Sequence, residues 1–227
     1  MNDSQLLDVI AQILYSTRET QYSSYELGKY VVENDIEGDI IECGIAMGGN
    51  FASMIVGAVS IEKGKTRKFW GFDSFVGIQL AGKKDTEQAG IGAITHNTDV
   101  SYEDLLVSSG ITVHSRELVE NNLSSWGLNN YNIELVDGWV QNSVPVVNDR
   151  IEKISILRLD MDVYHPTKYC LDMWWDKISE GGIIIIDDWA LGGVRTACDE
   201  FFEEKGINPE IHTITNSTPT YFFKKTK

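Results

Sequence analysis

Four aspartates stand at the ends of two apolar runs in the sequence. Asp160 and Asp162 follow one run, and Asp187 and Asp188 follow four consecutive isoleucines. Two unpaired carboxylates about 4 Å apart repel each other by about 4 kcal/mol at an effective dielectric constant of about 20. A cation relieves this repulsion, and oxygen ligands without histidine or cysteine favour Mg²⁺ or Ca²⁺. We therefore predict a divalent-cation site; the alternative is a solvated Asp162 and a helix-capping Asp188.

Two further residues near the first pair of aspartates carry charge or can carry it. His165 follows the carboxylates and could accept a proton from a bound hydroxyl group, although capping a helix is an equally good interpretation. Arg158 lies within the apolar run itself, where a guanidinium could pair with a carboxylate of the predicted sheet.

A glycine-rich segment follows the first apolar run, from Glu42 to Asn50. Glycines let the backbone approach a ligand closely, and the start of the next helix offers free N–H groups. The spacing Gly44-x-Ala46-x-x-Gly49 partly matches a dinucleotide-binding fingerprint. However, Glu42 would repel a pyrophosphate and suits a cationic ligand better. A tight strand-to-helix turn without a ligand is the other interpretation.

Asp73 follows the second apolar run and is flanked by two phenylalanines. An acidic residue at this place can accept hydrogen bonds from both hydroxyls of a ribose, and nicotinamide cofactors are held in this way. Asp73 therefore favours a ligand of the adenosine type without identifying it. A helix cap or a solvated side chain remains possible.

Short β-branched runs alternate with stretches of helical spacing, which predicts a parallel sheet covered by helices on both faces. The runs are Asp39–Cys43, Lys68–Phe72, Ile133–Val136, Ile154–Leu159 and Ile183–Ile186, and the helical stretches are Asn50–Ile61, Glu117–Trp126, Pro166–Ile178 and Val194–Lys205. Two final strands, Glu210–Thr215 and Thr220–Lys225, are too close for a crossover helix and predict an antiparallel hairpin. We expect an α/β fold with a seven-stranded mixed sheet.

The composition restricts the partners of the protein. Nineteen basic and 34 acidic residues give the 227-residue chain a formal charge of −15, which disfavours nucleic acids and anionic membranes. No apolar run approaches the roughly 20 residues that span a bilayer, and the N-terminus lacks the basic start of a signal peptide. Three separated cysteines match no metal-ligand spacing, so we expect reduced thiols and a cytoplasmic location.

The sequence suggests one main domain with two additions. Residues 1–37 are helical in pattern and lie outside the predicted sheet, so we expect an N-terminal helical extension followed by a main domain at 38–227. The polar, glycine-rich residues 77–101 show no period, which is typical of a lid or binding loop. An apolar stripe within 1–37 motivates the hypothesis of a homodimer.

These motifs together resemble the class I S-adenosylmethionine-dependent methyltransferases and, more narrowly, the macrocin O-methyltransferase family. The resemblance runs from about Gly38 to the C-terminus. Six motifs carry it: Gly38–Gly44 with Gly48 and Gly49; Phe72–Phe75; Glu117–Val119 with Asn122; Gly138 and Trp139 with Pro145; Leu157–Asp160 with Asp162 and Tyr164; and Gly181 and Gly182 leading to Ile186–Asp188. It implies a Rossmann-like fold and a 38–227 domain that binds S-adenosylmethionine.

The resemblance also implies roles for individual residues. Glycine-segment residues would approach the methionine part of the cofactor, Asp73 would hold the ribose, and Trp139 would lie near the adenine. The implied cofactor-binding residues are Glu42, Gly44, Ala46, Met47, Gly48, Asn50, Asp73, Ser74, Asp137, Gly138, Trp139 and Asp160. The implied Mg²⁺ ligands are Asp160, Asp187 and Asp188, and the candidate catalytic residues are Asp160, Asp162 and His165.

We therefore expect a Mg²⁺-assisted O-methyltransferase that acts on a small hydroxylated acceptor, such as a sugar or a sugar-containing metabolite. Mg²⁺ would lower the pKa of the acceptor oxygen and fix its direction. Two alternatives remain open at this point. The protein could be an NAD(P)-dependent oxidoreductase that uses the partial fingerprint and Asp73, or a catalytically silent cofactor-binding protein.

Overall fold

A computed structural model describes residues 1–85, 101, 103–214 and, as backbone, 221–224. Five strands form the all-parallel body of its sheet, and two short strands are added at one edge in antiparallel orientation, in the order β3-β2-β1-β4-β5-β7-β6. The strands are β1 (Asp39–Cys43), β2 (Lys68–Asp73), β3 (Asn132–Asp137), β4 (Ile154–Leu159), β5 (Ile178–Ile186), β6 (His212–Thr213) and β7 (Tyr221–Lys224). The predicted Rossmann-like parallel sheet with flanking helices is confirmed.

Seven α-helices accompany the strands in the described part of the chain. They are α1 (Asp3–Ile10), α2 (Arg18–Glu33), α3 (Gly49–Val59), α4 (Arg116–Ser125), α5 (Val140–Val147), α6 (Tyr164–Trp174) and α7 (Gly192–Lys205). The sequence pattern did not predict α5, because this helix has only eight residues and contains Pro145. The isoleucines of β5 are buried on both faces, which explains why that strand does not alternate with polar residues.

The N-terminal helices pack onto the body of the domain. A Cβ added at Gly28 of α2 would lie 2.2 Å from the backbone oxygen of Met54 in α3, so the two helices approach closely. Leu7 and Ile10 of α1 are buried in the same core cluster as residues of β1 and α3. Part of the apolar stripe that motivated the dimer hypothesis is therefore covered within the chain, and dimerisation stays a prediction.

Within the described residues, the two antiparallel strands at the sheet edge cover part of the strands that the sequence pattern predicts. β6 has two residues and β7 has four, within predicted strands of six residues each. Residues 215–220, which connect them, and 86–100, which form most of the predicted lid, lie outside the described residues. Among the residues that are described, no helix is both long enough and apolar enough to cross a membrane.

Candidate functional site

A cavity of about 310 Å³ opens at the carboxyl ends of the central strands. The strand order reverses between β1 and β4, and in open α/β sheets ligands bind at such a switch point. The predicted residues that line the cavity are Glu42, Gly44, Ala46, Met47, Asn50, Asp73, Ser74, Gly138, Trp139, Asp160, Asp162, Asp187 and Asp188. The fold thus brings together most of the residues singled out from the sequence.

The segment between β1 and α3 forms a tight turn whose backbone faces the cavity; it is called the glycine loop here (residues 44–49). Gly44 has a φ of +85°, and a Cβ at this position would lie 1.7 Å from the backbone oxygen of Asp160. Only glycine fits between the two strand ends. Gly48, with a φ of +88°, caps α3 but is not among the lining residues, so its predicted direct cofactor contact has no support in the geometry.

Asp73 ties the end of β2 to the glycine loop. Its Oδ2 accepts a hydrogen bond from the backbone N–H of Ala46 at 3.0 Å, and its Oδ1 accepts one from the N–H of Phe75 at 2.8 Å. Burial raises the pKa of Asp73, while these backbone donors act in the opposite direction. Asp73 therefore has a structural role and also faces the cavity.

The carboxylates of Asp160, Asp187 and Asp188 form a compact group, called the carboxylate cluster here. One oxygen from each lies within 4.8 Å of the others. Asp160 follows β4, and the other two follow β5, whose residues pair in parallel with those of β4. The sequence predicted that these three side chains lie close together, because the carboxyl ends of neighbouring parallel strands lie at one edge of the sheet.

Arg158 lies beneath this cluster and is fully buried, with a side-chain exposure of 0%. Its Nη2 donates to Asp160 Oδ2 at 3.0 Å and also to Asp187 Oδ1, and its Nε donates to Glu42 Oε1 at 3.0 Å. The predicted pairing of Arg158 with a sheet carboxylate is confirmed, and it extends to three of them. A basic residue within an otherwise apolar strand was the signal for this role.

One guanidinium does not neutralise the acidic groups around it. Burial, followed by the charges of neighbouring aspartates, raises the pKa of Asp160 and of Asp188 well above the usual range. Burial also raises the pKa of Glu42 to about 7 despite the attraction of Arg158. Raised pKa values of this kind mean that the site favours an additional positive charge. Oxygen donors in this arrangement fit a hard divalent cation.

Asp162 lies beside the carboxylate cluster without belonging to it. Its backbone adopts a φ of +65° and its N–H donates to Asp188 Oδ2 at 3.1 Å. The side chain lines the cavity, and burial, followed by the charge of Asp187, raises the pKa of Asp162 to about 6. An aspartate with such a pKa can accept a proton near neutral pH.

Besides Gly48, two predicted site residues do not line the cavity. Asp137 is exposed and forms an ion pair with Arg116 at 2.7 Å, so its carboxylate is directed away from the cavity. His165 lies on the first turn of α6, with its Nδ1 3.1 Å from Nε2 of Gln141. Burial lowers the pKa of His165.

The sequence pattern also missed several lining residues. Ile13 to Ser16, between α1 and α2, contribute to the wall, and Ser16 is hydrogen bonded to Asn50 of α3 at 3.0 Å. Gln79 and Thr112 line the cavity from the long segment after β2. No periodicity or motif marks these positions, because they reach the site through tertiary packing.

Comparison with known proteins places this site in context. The model of the family described as macrocin O-methyltransferase (TylF) matches residues 23–225. A tetracenomycin rhamnosyl 4'-O-methyltransferase from Streptomyces olivaceus is 29% identical over 81% of this chain and 65% of its own length. Mycinamicin III 3''-O-methyltransferase from Micromonospora griseorubida is 27% identical over 79% of this chain and 66% of its own length. The chain thus spans about two thirds of the length of these relatives.

Solved structures show the same fold. The O-methyltransferase NovP superposes with a TM-score of 0.75 at 23% identity, covering 92% of this chain and 81% of that one. The calicheamicin methyltransferase CalS11 superposes with a TM-score of 0.68 at 17% identity, covering 98% of this chain and 90% of that one. At these identities the likeness concerns the fold.

Proposed function

The chain belongs to the macrocin O-methyltransferase (TylF) family, and from this premise we propose that it methylates a sugar hydroxyl with S-adenosylmethionine and the assistance of Mg²⁺. The observation that carries the proposal is that the carboxylate cluster and the glycine loop border one cavity. A cofactor and a cation held there would meet beside a single acceptor molecule.

The residues of the glycine-loop side fit S-adenosylmethionine. This cofactor supplies an activated methyl group on a positively charged sulfonium. Glu42 is only 1% exposed, borders the cavity and has an Oε2 without a hydrogen-bond partner among the described residues. A buried carboxylate oxygen of this kind favours a cationic ligand over a pyrophosphate. Asp73 would hold the ribose, and Gly138 with Trp139 would lie near the adenine.

The residues of the carboxylate side fit Mg²⁺. Asp160, Asp187 and Asp188 would hold the cation, and one oxygen of each is already oriented by a hydrogen bond from Arg158 or from the backbone of Asp162. Hydrogen bonds from neighbouring groups to the ligand carboxylates fix the orientation of these carboxylates toward a metal ion. A bound Mg²⁺ would act as a Lewis acid that lowers the pKa of the acceptor hydroxyl.

Of the three candidate catalytic residues, we assign the acceptance of the acceptor's proton to Asp162. This side chain borders the cavity beside the carboxylate cluster, and its pKa of about 6 leaves it mostly ionised at neutral pH. We assign Asp160 to cation binding. His165 does not line the cavity, so we propose that it supports the wall through Gln141.

The proposed acceptor is an uncharged sugar or glycoside. Six carboxyl groups line the cavity, those of Glu42, Asp73, Asp160, Asp162, Asp187 and Asp188, and they disfavour an anionic acceptor when no cation is bound. The name of one relative describes 4'-O-methylation of a rhamnosyl tetracenomycin, and that of another describes 3''-O-methylation of mycinamicin III. These names support a sugar hydroxyl as the acceptor without identifying the molecule.

Calorimetry tests the cofactor assignment directly. We expect S-adenosylmethionine and S-adenosylhomocysteine to bind the wild-type protein, and NAD not to bind. The variant Glu42→Gln should bind S-adenosylmethionine more weakly, while the exposed control Glu180→Gln should bind it normally. Binding of NAD in place of the sulfonium cofactor would overturn the proposal.

Methyl transfer tests the reaction. A panel of methyl glycosides that includes methyl α-L-rhamnopyranoside is incubated with S-adenosylmethionine labelled in its methyl group, with Mg²⁺ or with a chelator. We expect label in at least one glycoside only when Mg²⁺ is present. Equal transfer in chelator would remove the cation from the mechanism while leaving the methyltransferase assignment intact.

A further inference from the structure

Two neighbouring glutamines, the buried Gln79 and the half-buried Gln141, each have one buried polar side-chain atom that lacks a partner in the described part of the structure. Gln79 is 3% exposed and lines the cavity, and its Nε2 has no hydrogen-bond partner there. The Oε1 of Gln141, on α5, is likewise without one. A buried amide left unmatched in this way costs about 1–3 kcal/mol, so a ligand that pairs with it gains affinity.

The amide of Gln79 is held in a defined orientation. Gln141 donates from its Nε2 to Gln79 Oε1 at 3.1 Å, so the acceptor atom of Gln79 is occupied while its donor faces no protein partner. The same Nε2 lies 3.1 Å from Nδ1 of His165. The strand-like pairing on either side of Gln79 is also fixed, because the N–H of Leu80 donates to the carbonyl of Val107 at 3.0 Å.

Gln79 lies on the side of the cavity where the acceptor would bind. Its segment packs on the residues that follow Asp162, since Ala81 and Val163 share a small apolar cluster. Asp85 strengthens this attachment, because its Oδ1 accepts a hydrogen bond from the N–H of Tyr164 at 2.8 Å. The segment that carries Gln79 is thereby attached to the residues that directly follow the proposed proton acceptor.

We propose that Gln79 and Gln141 form a recognition site for a second hydroxyl of the acceptor, distinct from the hydroxyl that is methylated. Gln79 Nε2 donates a hydrogen bond to the oxygen of this hydroxyl, and Gln141 Oε1 accepts a hydrogen bond from its O–H. A hydroxyl is both donor and acceptor, so one group satisfies both unmatched atoms. An ether or a deoxy position cannot, which makes Gln79 a specificity-determining residue. This inference rests on the proposed function.

The test measures binding, so that it does not depend on turnover. Wild-type protein and the variants Gln79→Leu and Gln79→Glu are loaded with S-adenosylhomocysteine and Mg²⁺. They are titrated with methyl α-L-rhamnopyranoside and its three monodeoxy analogues in a calorimeter. Gln12→Leu, which changes an exposed glutamine outside the cavity lining, is the matched control.

We expect both Gln79 variants to bind the rhamnoside about 10- to 100-fold more weakly than the wild type, with unchanged affinity for S-adenosylhomocysteine. One deoxy analogue should bind weakly to the wild type and equally weakly to Gln79→Leu. Equal affinity of the wild type and both variants for every glycoside, including no measurable binding, overturns the inference. A parallel loss of S-adenosylhomocysteine affinity also overturns it, because Gln79 would then contact the cofactor. Failure of the wild type to bind S-adenosylhomocysteine instead refutes the proposed function.

Discussion

Carboxylates lie on both sides of the cavity, but the groups that stabilise them differ between the two sides. On the glycine-loop side, Asp73 receives two hydrogen bonds from backbone N–H groups. On the carboxylate side, Asp160 and Asp187 share one guanidinium with Glu42, and Asp188 is held by the N–H of Asp162. The first arrangement is built into the backbone, whereas the second depends on a single side chain.

This difference indicates on which side the carboxylates are better compensated by protein groups and on which side a ligand would add to their stabilisation. Backbone donors favour the ionised form of a carboxylate and cannot be displaced without changing the fold. The carboxylates around the one guanidinium are not fully compensated, because burial and then the charges of neighbouring aspartates raise the pKa of Asp160 and of Asp188 well above the usual range. We infer that the glycine-loop side is preorganised and that the carboxylate side gains most from a bound cation.

The largest expected effect comes from removing the shared cation. Arg158→Met leaves the buried carboxylates of Glu42 and Asp187 and the partly exposed one of Asp160 without their common partner, and breaking a buried ion pair costs about 3–5 kcal/mol. The free energy of unfolding, measured with urea, should fall by that amount. Arg195→Met, which removes an exposed pair with Asp199, should change it by less than about 1 kcal/mol. Equal stability of the two variants would mean that Arg158 is not the organising group.

A second prediction concerns Asp188, whose carboxylate accepts a hydrogen bond from the backbone N–H of Asp162. Asp188→Asn removes one negative charge from the carboxylate cluster, so the protein without metal should melt at a higher temperature. The same variant should lose at least about tenfold in Mg²⁺ affinity, measured by calorimetry. Asp199→Asn serves as the exposed control. An Asp188→Asn variant with normal Mg²⁺ affinity would exclude this residue as a ligand.

The glycine-loop side should respond to Asp73→Asn. An asparagine has one acceptor oxygen for two backbone donors, so one buried N–H is left unmatched at a cost of about 1–3 kcal/mol. We expect a moderate loss of stability and weaker binding of S-adenosylhomocysteine in calorimetry. Mg²⁺ should still raise the melting temperature, because the carboxylate cluster is intact. Loss of both responses would show that the two sides are not separable.

The last prediction is a pH dependence. Burial raises the pKa of Asp162 from 3.8 to about 6, so Asp162 contributes stability below about pH 4 that is lost as the pH rises through about 6. In the absence of metal, Asp162→Asn should therefore gain stability relative to the wild type between pH 4 and 7. Thermal melting of both proteins at several pH values measures this difference. A difference that does not change with pH would contradict the raised pKa.

The sequence predicted the parts of the site that belong to strand ends. Asp160, Asp187 and Asp188 meet because neighbouring parallel strands place their carboxyl ends at one edge, which a pattern of apolar runs reveals. Arg158 was recognisable as a charge within a buried strand. The function itself came from resemblance to a family, since the residues alone disfavoured a nicotinamide cofactor, through Glu42, without identifying the ligand.

Other parts of the site depend on tertiary packing that no local pattern encodes. Ser16 reaches the cavity because α1 and α2 pack on α3, and Gln79 reaches it because its segment pairs with residues 107–111. Asp137 was expected beside the cofactor with Gly138, yet its side chain is directed outward to Arg116. The position of a residue next to cavity-lining residues in the sequence therefore does not show whether its own side chain faces the cavity.

The most direct measurement is anomalous diffraction from a crystal of the protein grown with S-adenosylhomocysteine and Mn²⁺ as a substitute for Mg²⁺. We expect one anomalous peak in contact with carboxylate oxygens of Asp160, Asp187 and Asp188, beside cofactor density over the glycine loop. Cofactor density with no anomalous peak at those carboxylates would contradict a cation-assisted site, and would leave Arg158 as the sole counter-charge.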